Sequence, residues 1–192
     1  MGNRSRFRSM DVNPRLDDEW IEYQLVENGP VRIYSVSGTL LREYPDVCET
    51  AIPESDREMI YGQVMKQCRE SDVAFSKKDL LFAAEYQFSE IRLVGRMFLF
   101  SMKPRGAGWP DPEVLARQYD EFMNSPDLVR TIQKASTTRE VAENSWDPEM
   151  HILRLRNDII CKKIAERFQL EYRKDFYYRS HTQQKKQRAL FP

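Results

Sequence analysis

Apolar residues recur at helical spacing along most of this chain. Between Val31 and Val47, the residues Ile33, Val36, Leu40 and Val47 share one stripe, with Leu41 and Tyr44 on its flank. Pro30 suits a first helical turn, and Pro45 discourages continuation. The spacing predicts a helix over 30–44. A strand pair is the competing reading, because Val31, Ile33 and Ser35 alternate with Arg32, Tyr34 and Val36, and Gly38 can turn. A second helix is expected over 56–70, opened by a Ser55–Glu58 capping box, with Ile60, Val64 and Cys68 on one face. A third is expected over 77–101, opened by Ser76 and Asp79 and lined by Leu80, Leu81, Ala84, Phe88, Ile91 and Phe98.

The stretch Pro104–Pro112 holds three prolines and two glycines and excludes helix. Beyond it, Asp111-Pro112, Ser125-Pro126 and Asp147-Pro148 each set a capping side chain before a proline at the first helical position. Thr137 with Glu140 is a further capping box. Helices are expected over 112–124, 126–135, 138–145 and 148–172. The pattern therefore predicts an all-α fold, a three-helix bundle followed by an extended helical arm. The units are an N-terminal arm at 1–27, the bundle at 28–103, a helical extension at 104–172 and a basic C-terminal tail at 173–192.

Charge narrows the function. The 192 residues carry 30 Lys+Arg against 30 Asp+Glu, so there is no global case for nucleic acid and none is expected with DNA. Sign asymmetry is local. Arg4, Arg6 and Arg8 stand at the start without an acid, the composition of a mitochondrial targeting segment. Arg173, Lys174, Arg179, Lys185, Lys186 and Arg188 stand at the end against Asp175. Cys48, Cys68 and Cys161 form neither a disulfide framework nor a zinc spacing. The most apolar run, Leu93–Met102, is too short to span a membrane and carries Arg96. No convergent catalytic set appears, so a non-enzyme without a metal is expected. Glu143-Asn144-Ser145-Trp146 with His151 resembles a segment of fungal nuclease-like proteins, but no metal-binding carboxylates follow it. A basic stripe over the expected bundle, Arg42, Lys66, Arg69, Lys77, Lys78, Arg92 and Arg96, is either solubilising charge or a dock for an acidic partner.

Residues 30–102 resemble the LYR-motif family of small mitochondrial proteins. The register sets Val36-Ser37-Gly38 on the signature, followed by Thr39, the apolar pair Leu40-Leu41 and Arg42, with Glu43-Tyr44-Pro45 ending the helix as in a respiratory complex I subunit. Val64 occupies the place of a family Phe, and Asp79-Leu80-Leu81 that of the third-helix start. The three signature residues are replaced. The resemblance implies a non-catalytic accessory subunit of a respiratory-chain complex (complex I, NADH:ubiquinone oxidoreductase), peripheral to the matrix side of the mitochondrial inner membrane. It implies docking of an acyl carrier protein beside other subunits. Arg42, Lys66 and Arg69 would pair with the carrier. Val36, Ser37, Gly38, Leu40, Val64, Leu81, Ala84 and Phe88 would line its acyl chain. The one cofactor implied is the acyl-phosphopantetheine of the bound carrier, none of the chain's own. The alternatives are an RNA-associated structural protein such as a mitochondrial ribosome component, with Phe176, Tyr177 and Tyr178 able to stack on bases, and a nuclease-like enzyme.

Overall fold

The computed structural model describes residues 30–44, 52–69, 71–95, 97–136 and 148–176. Its centre is a six-stranded mixed sheet, so the expected all-α bundle is overturned. The correction starts at the first element. Val31–Tyr34 (β1) and Leu40–Tyr44 (β2) form an antiparallel hairpin. Gly38 takes a φ of 93° in its turn, a conformation that glycine adopts without steric cost. Val31 and Ile33 are buried while Arg32 and Tyr34 are not, so the alternating pattern governs these residues.

The second expected helix is mostly strand. Glu54–Ile60 (α1) follows Pro53 without a side-chain cap, so the Ser55–Glu58 box does not form. Gly62, at a φ of 71°, then turns the chain into Val64–Cys68 (β3). The third expected helix is cut short in the same way. Lys77–Glu85 (α2) opens on the Ser76–Asp79 capping box that the sequence predicts. It ends before Gln87, whose φ of 48° leaves the helical region. Glu90–Val94 (β4) and Phe98–Pro104 (β5) take the remainder.

The C-terminal half keeps its expected starts. Pro112–Met123 (α3) is capped by Asp111, whose carboxylate accepts from the amides of Glu113 at 2.9 Å and Val114 at 3.2 Å. Pro126–Ser136 (α4) and Pro148–Phe168 (α5) begin at their prolines. The last expected helix stops short of residue 172, because Gln169 takes a φ of 56° and Leu170–Phe176 (β6) follows as a strand. β6 therefore crosses the expected boundary between extension and tail. The 1–27 arm, the Thr137–Glu140 box, the 138–145 helix and residues 177–192 lie outside the described residues.

The strand order is β2-β1-β3-β4-β5-β6. β3 and β4 are parallel and joined through α2, and every other neighbouring pair is antiparallel. Register places Ile33 beside Met65, Ile91 and Met102 across one face. That face meets Ile60 of α1, Leu80 and Ala84 of α2, Leu115 of α3, Leu128 of α4 and Ile160 and Ile164 of α5 in one buried core. The opposite face sets Arg32, Lys66, Arg92 and Ser101 in one row, beside a small apolar cluster of Cys68, Val94 and Leu99. Among the described residues, no helix is long and apolar enough to cross a membrane.

The turn between β4 and β5 is built on a buried carboxylate. Asp72 Oδ1 accepts from the amides of Met97 at 2.8 Å and Phe98 at 3.3 Å. A Cβ on Gly95 would lie 2.4 Å from that oxygen. The oxygen cannot swing away without abandoning both amides. Gly95→Ala is expected to cost about 1–3 kcal/mol through overpacking, read as a lower midpoint in urea denaturation. An unchanged midpoint would mean that the turn has room to give.

Candidate functional site

The residues expected to bind an acyl carrier protein do not share a surface. Arg42 lies on β2, on the core side at the sheet edge, where its guanidinium is 3.5 Å from Asp56. Asp56 also accepts from the Tyr44 hydroxyl at 2.8 Å, and burial, with that bond second, lifts Tyr44 to about 12. Lys66 belongs to the other face of the sheet, with its ammonium 5.5 Å from the Tyr34 ring centroid. Arg69 stands past the end of β3. Its guanidinium donates to Gln67 Oε1 at 2.7 and 2.9 Å and to both oxygens of buried Asp79. Asp79 accepts in turn from the Ser76 amide at 2.6 Å and hydroxyl at 2.7 Å. Arg69 thus ties the end of β3 to the start of α2.

The expected acyl-chain lining is scattered too. Val36, Ser37 and Gly38 form the exposed hairpin turn, and Leu40 is half exposed at the edge. Val64 lies on the same face as Lys66, while Ala84 and Phe88 are packed inside the core. Leu81 borders a groove of about 260 Å³, together with Val31, Met65 and Phe82. Of the nuclease-like segment, His151 is exposed on α5, and Glu143 and Trp146 lie outside the described residues. Among the described residues, no group of three or more His, Cys, Asp or Glu is placed to hold a metal ion.

Charge does converge at the other edge of the sheet. Gln169 reverses the chain, so β6 runs back beside the last turns of α5. The Arg105 amide donates to the Gln169 carbonyl at 3.3 Å and brings the end of β5 to the same place. Between them lies an open cleft of about 640 Å³, walled by Arg105, Lys162, Glu166, Gln169, Tyr172 and Lys174 over Ala165 and Leu170. Arg105, Lys162 and Lys174 meet Glu166 there, and Lys162 is also paired with Asp158.

A partly buried hydrogen-bond group fixes its floor. The Tyr172 hydroxyl donates to Asp158 Oδ1 at 2.7 Å, and Lys162 donates to Oδ2 at 2.8 Å. Burial alone would lift the Asp158 carboxyl. The bonds from Lys162 and Tyr172 and the nearby Lys174 outweigh it and hold the carboxyl below the usual aspartate range. Burial, the neighbouring Cys161 and the bond to Asp158 push the Tyr172 hydroxyl far up, so it stays a donor. Among the described residues, the ion pairs here join Lys162 to Asp158, Lys103 to Glu171 and Arg173 to Glu171. Arg105 and Lys174 have no carboxylate in that set. The Lys174 ammonium stands 4.4 Å from the Phe98 ring centroid and 5.6 Å from that of Phe100.

The sequence offered a signal for Lys174 through the basic run that begins at Arg173. It offered none for Arg105 or Lys162, which charge patterning leaves on a loop and a helix of mixed sign. No family model, curated protein or solved structure matches the chain.

Two measurements test these assignments. Arg69→Ala is expected to destabilise the fold by about 3–5 kcal/mol in denaturant, because it leaves buried Asp79 without its cation; a loss under about 1 kcal/mol, the range of a surface pair, would make Arg69 a surface residue after all. Asp158 predicts a pH dependence. Its folded carboxyl is more acidic than in the unfolded chain, where it titrates near about 3.9. Its contribution is therefore complete above about pH 5 and is lost as pH falls through the lower folded value. Asp158→Asn should flatten the fall in stability between about pH 5 and 2 relative to wild type, and parallel curves would contradict this.

Proposed function

We propose that this chain is a non-catalytic binding protein that takes an anionic polymer, RNA first, in the cleft between α5 and β6. The observation that carries the reading is the excess of cations there, Arg105, Lys162 and Lys174 against Glu166 and the Asp158 that pairs with Lys162, in a chain of net charge zero. Phosphate is the group that such a concave set of donors suits, as point charges from Lys and a planar fork from Arg. The strand that forms one wall continues in sequence into Tyr177, Tyr178, Arg179, Lys185, Lys186 and Arg188, which extends the same charge. Basic side chains on an edge strand also guard against edge-to-edge pairing. That role needs no cleft and no contribution from Arg105 or Lys162.

The dock for an acyl carrier protein required a three-helix interior, and the mixed sheet stands in its place. A binding role without catalysis is kept from that reading. RNA is preferred to an acidic protein because the cleft is lined by few apolar side chains, whereas protein docks centre on buried aromatic or aliphatic anchors.

Binding of a labelled single-stranded oligoribonucleotide by fluorescence anisotropy tests the reading. With three phosphate contacts, log K should fall with log salt at a slope of roughly −2. Arg105→Glu with Lys174→Glu should abolish most of that affinity, and Arg130→Glu on exposed α4 should not. Affinity that ignores salt, or equal loss in both variants, would overturn the proposal. Capture of an acidic protein by the wild-type cleft, with no affinity for RNA, would replace it.

A further inference from the structure

Phe176 at the end of β6 is a large apolar side chain left 58% exposed, two residues beyond Lys174 of the basic cleft. Its ring meets Phe98 edge to face, with centroids 5.4 Å apart and planes at 62°. The Phe98 ring carries Lys174 over it. Register places Phe98 opposite Phe176 and Phe100 opposite Lys174, so both partners lie on the helix-bearing side of the sheet. Lys174 and Phe176 are two positions apart on one strand, which sets them about 6.6 Å from each other along it. A cation and an aromatic face thus stand side by side on one strand, and a second ring packs against that face.

We infer that the cleft selects single-stranded nucleic acid, with a phosphate held by Lys174 and the adjoining base stacked on Phe176. This rests on the anion-binding reading of the same cleft and adds to it the recognition of a base. Stacking accepts any base, so the selection is for unpaired strands over duplex and over polyanions without rings, not for a sequence. A duplex offers its phosphates, but its bases are occupied with one another. β6 is also an edge strand in the described sheet, which leaves the approach along Phe176 open on that side.

The test compares three ligands of equal charge on the full chain: oligouridylate, an abasic phosphodiester oligomer of the same length, and a duplex. Wild type should prefer oligouridylate to the abasic oligomer by about ten-fold, the effect of one stacked base. Phe176→Leu, which keeps an apolar contact with Phe98, should erase that preference and leave the affinity for the abasic oligomer unchanged. Phe176→Trp should retain it, and a melting curve confirms that each variant is folded. Oligothymidylate in place of oligouridylate should bind alike, since the 2′-hydroxyl has no assigned partner. If wild type binds the base-bearing and abasic oligomers equally, or if Phe176→Leu keeps the preference, the stacking inference fails and the anion-binding reading stands. If wild type binds none of the three, the anion-binding reading fails and this inference fails with it.

Discussion

The reversal at Gln169 is the constraint on which the cleft depends. A residue other than glycine in the left-handed region costs about 1–3 kcal/mol and persists where its surroundings over-determine it. The surroundings here do so twice. β6 pairs with β5 from Leu170 to Phe176, and the Arg105 amide holds the Gln169 carbonyl. Asp158 and Tyr172 then clamp α5 against β6 further in. A helix and a strand fixed back to back, with one short residue between them, leave a gap lined by the outward side chains of both.

The same economy of charge runs through the interior. Asp72 is spent on the turn amides of Met97 and Phe98, Asp79 on Arg69 and the Ser76 cap, and Asp158 on Tyr172 and Lys162. Buried carboxylates need such donors, since an unpaired charge in a core is costly. The acids that sequence arithmetic sets against the bases are thus partly withdrawn from the surface. A neutral chain can therefore present a positive cleft, and net charge does not report on it.

Helix starts in the C-terminal half were legible because they are local. Asp111 before Pro112 and Ser76 with Asp79 need only their own three or four residues to form a cap. The competing strand reading of Val31–Tyr34 was legible as well, from alternation and Gly38. It lost to a helical stripe that ran across the turn, since Val36 and Leu40 fall at helical spacing without being buried. Runs such as Val64–Cys68 and Glu90–Val94 are too short for either period to prevail. The cleft was less legible still. Arg105, Lys162 and Lys174 lie on a loop, a helix and a strand, and no spacing rule joins them.

The sequence by itself therefore determined much of the punctuation of this protein: the caps at Ser76 and Asp111, the proline starts, the break after Pro104 and the basic character of the end. Tertiary structure alone decided which apolar runs are strands and which cations meet. A strand's backbone groups are satisfied by a partner that can lie far along the chain, as β5 is by β6, whereas a helix satisfies its own. Local pattern carries the second kind of information and not the first.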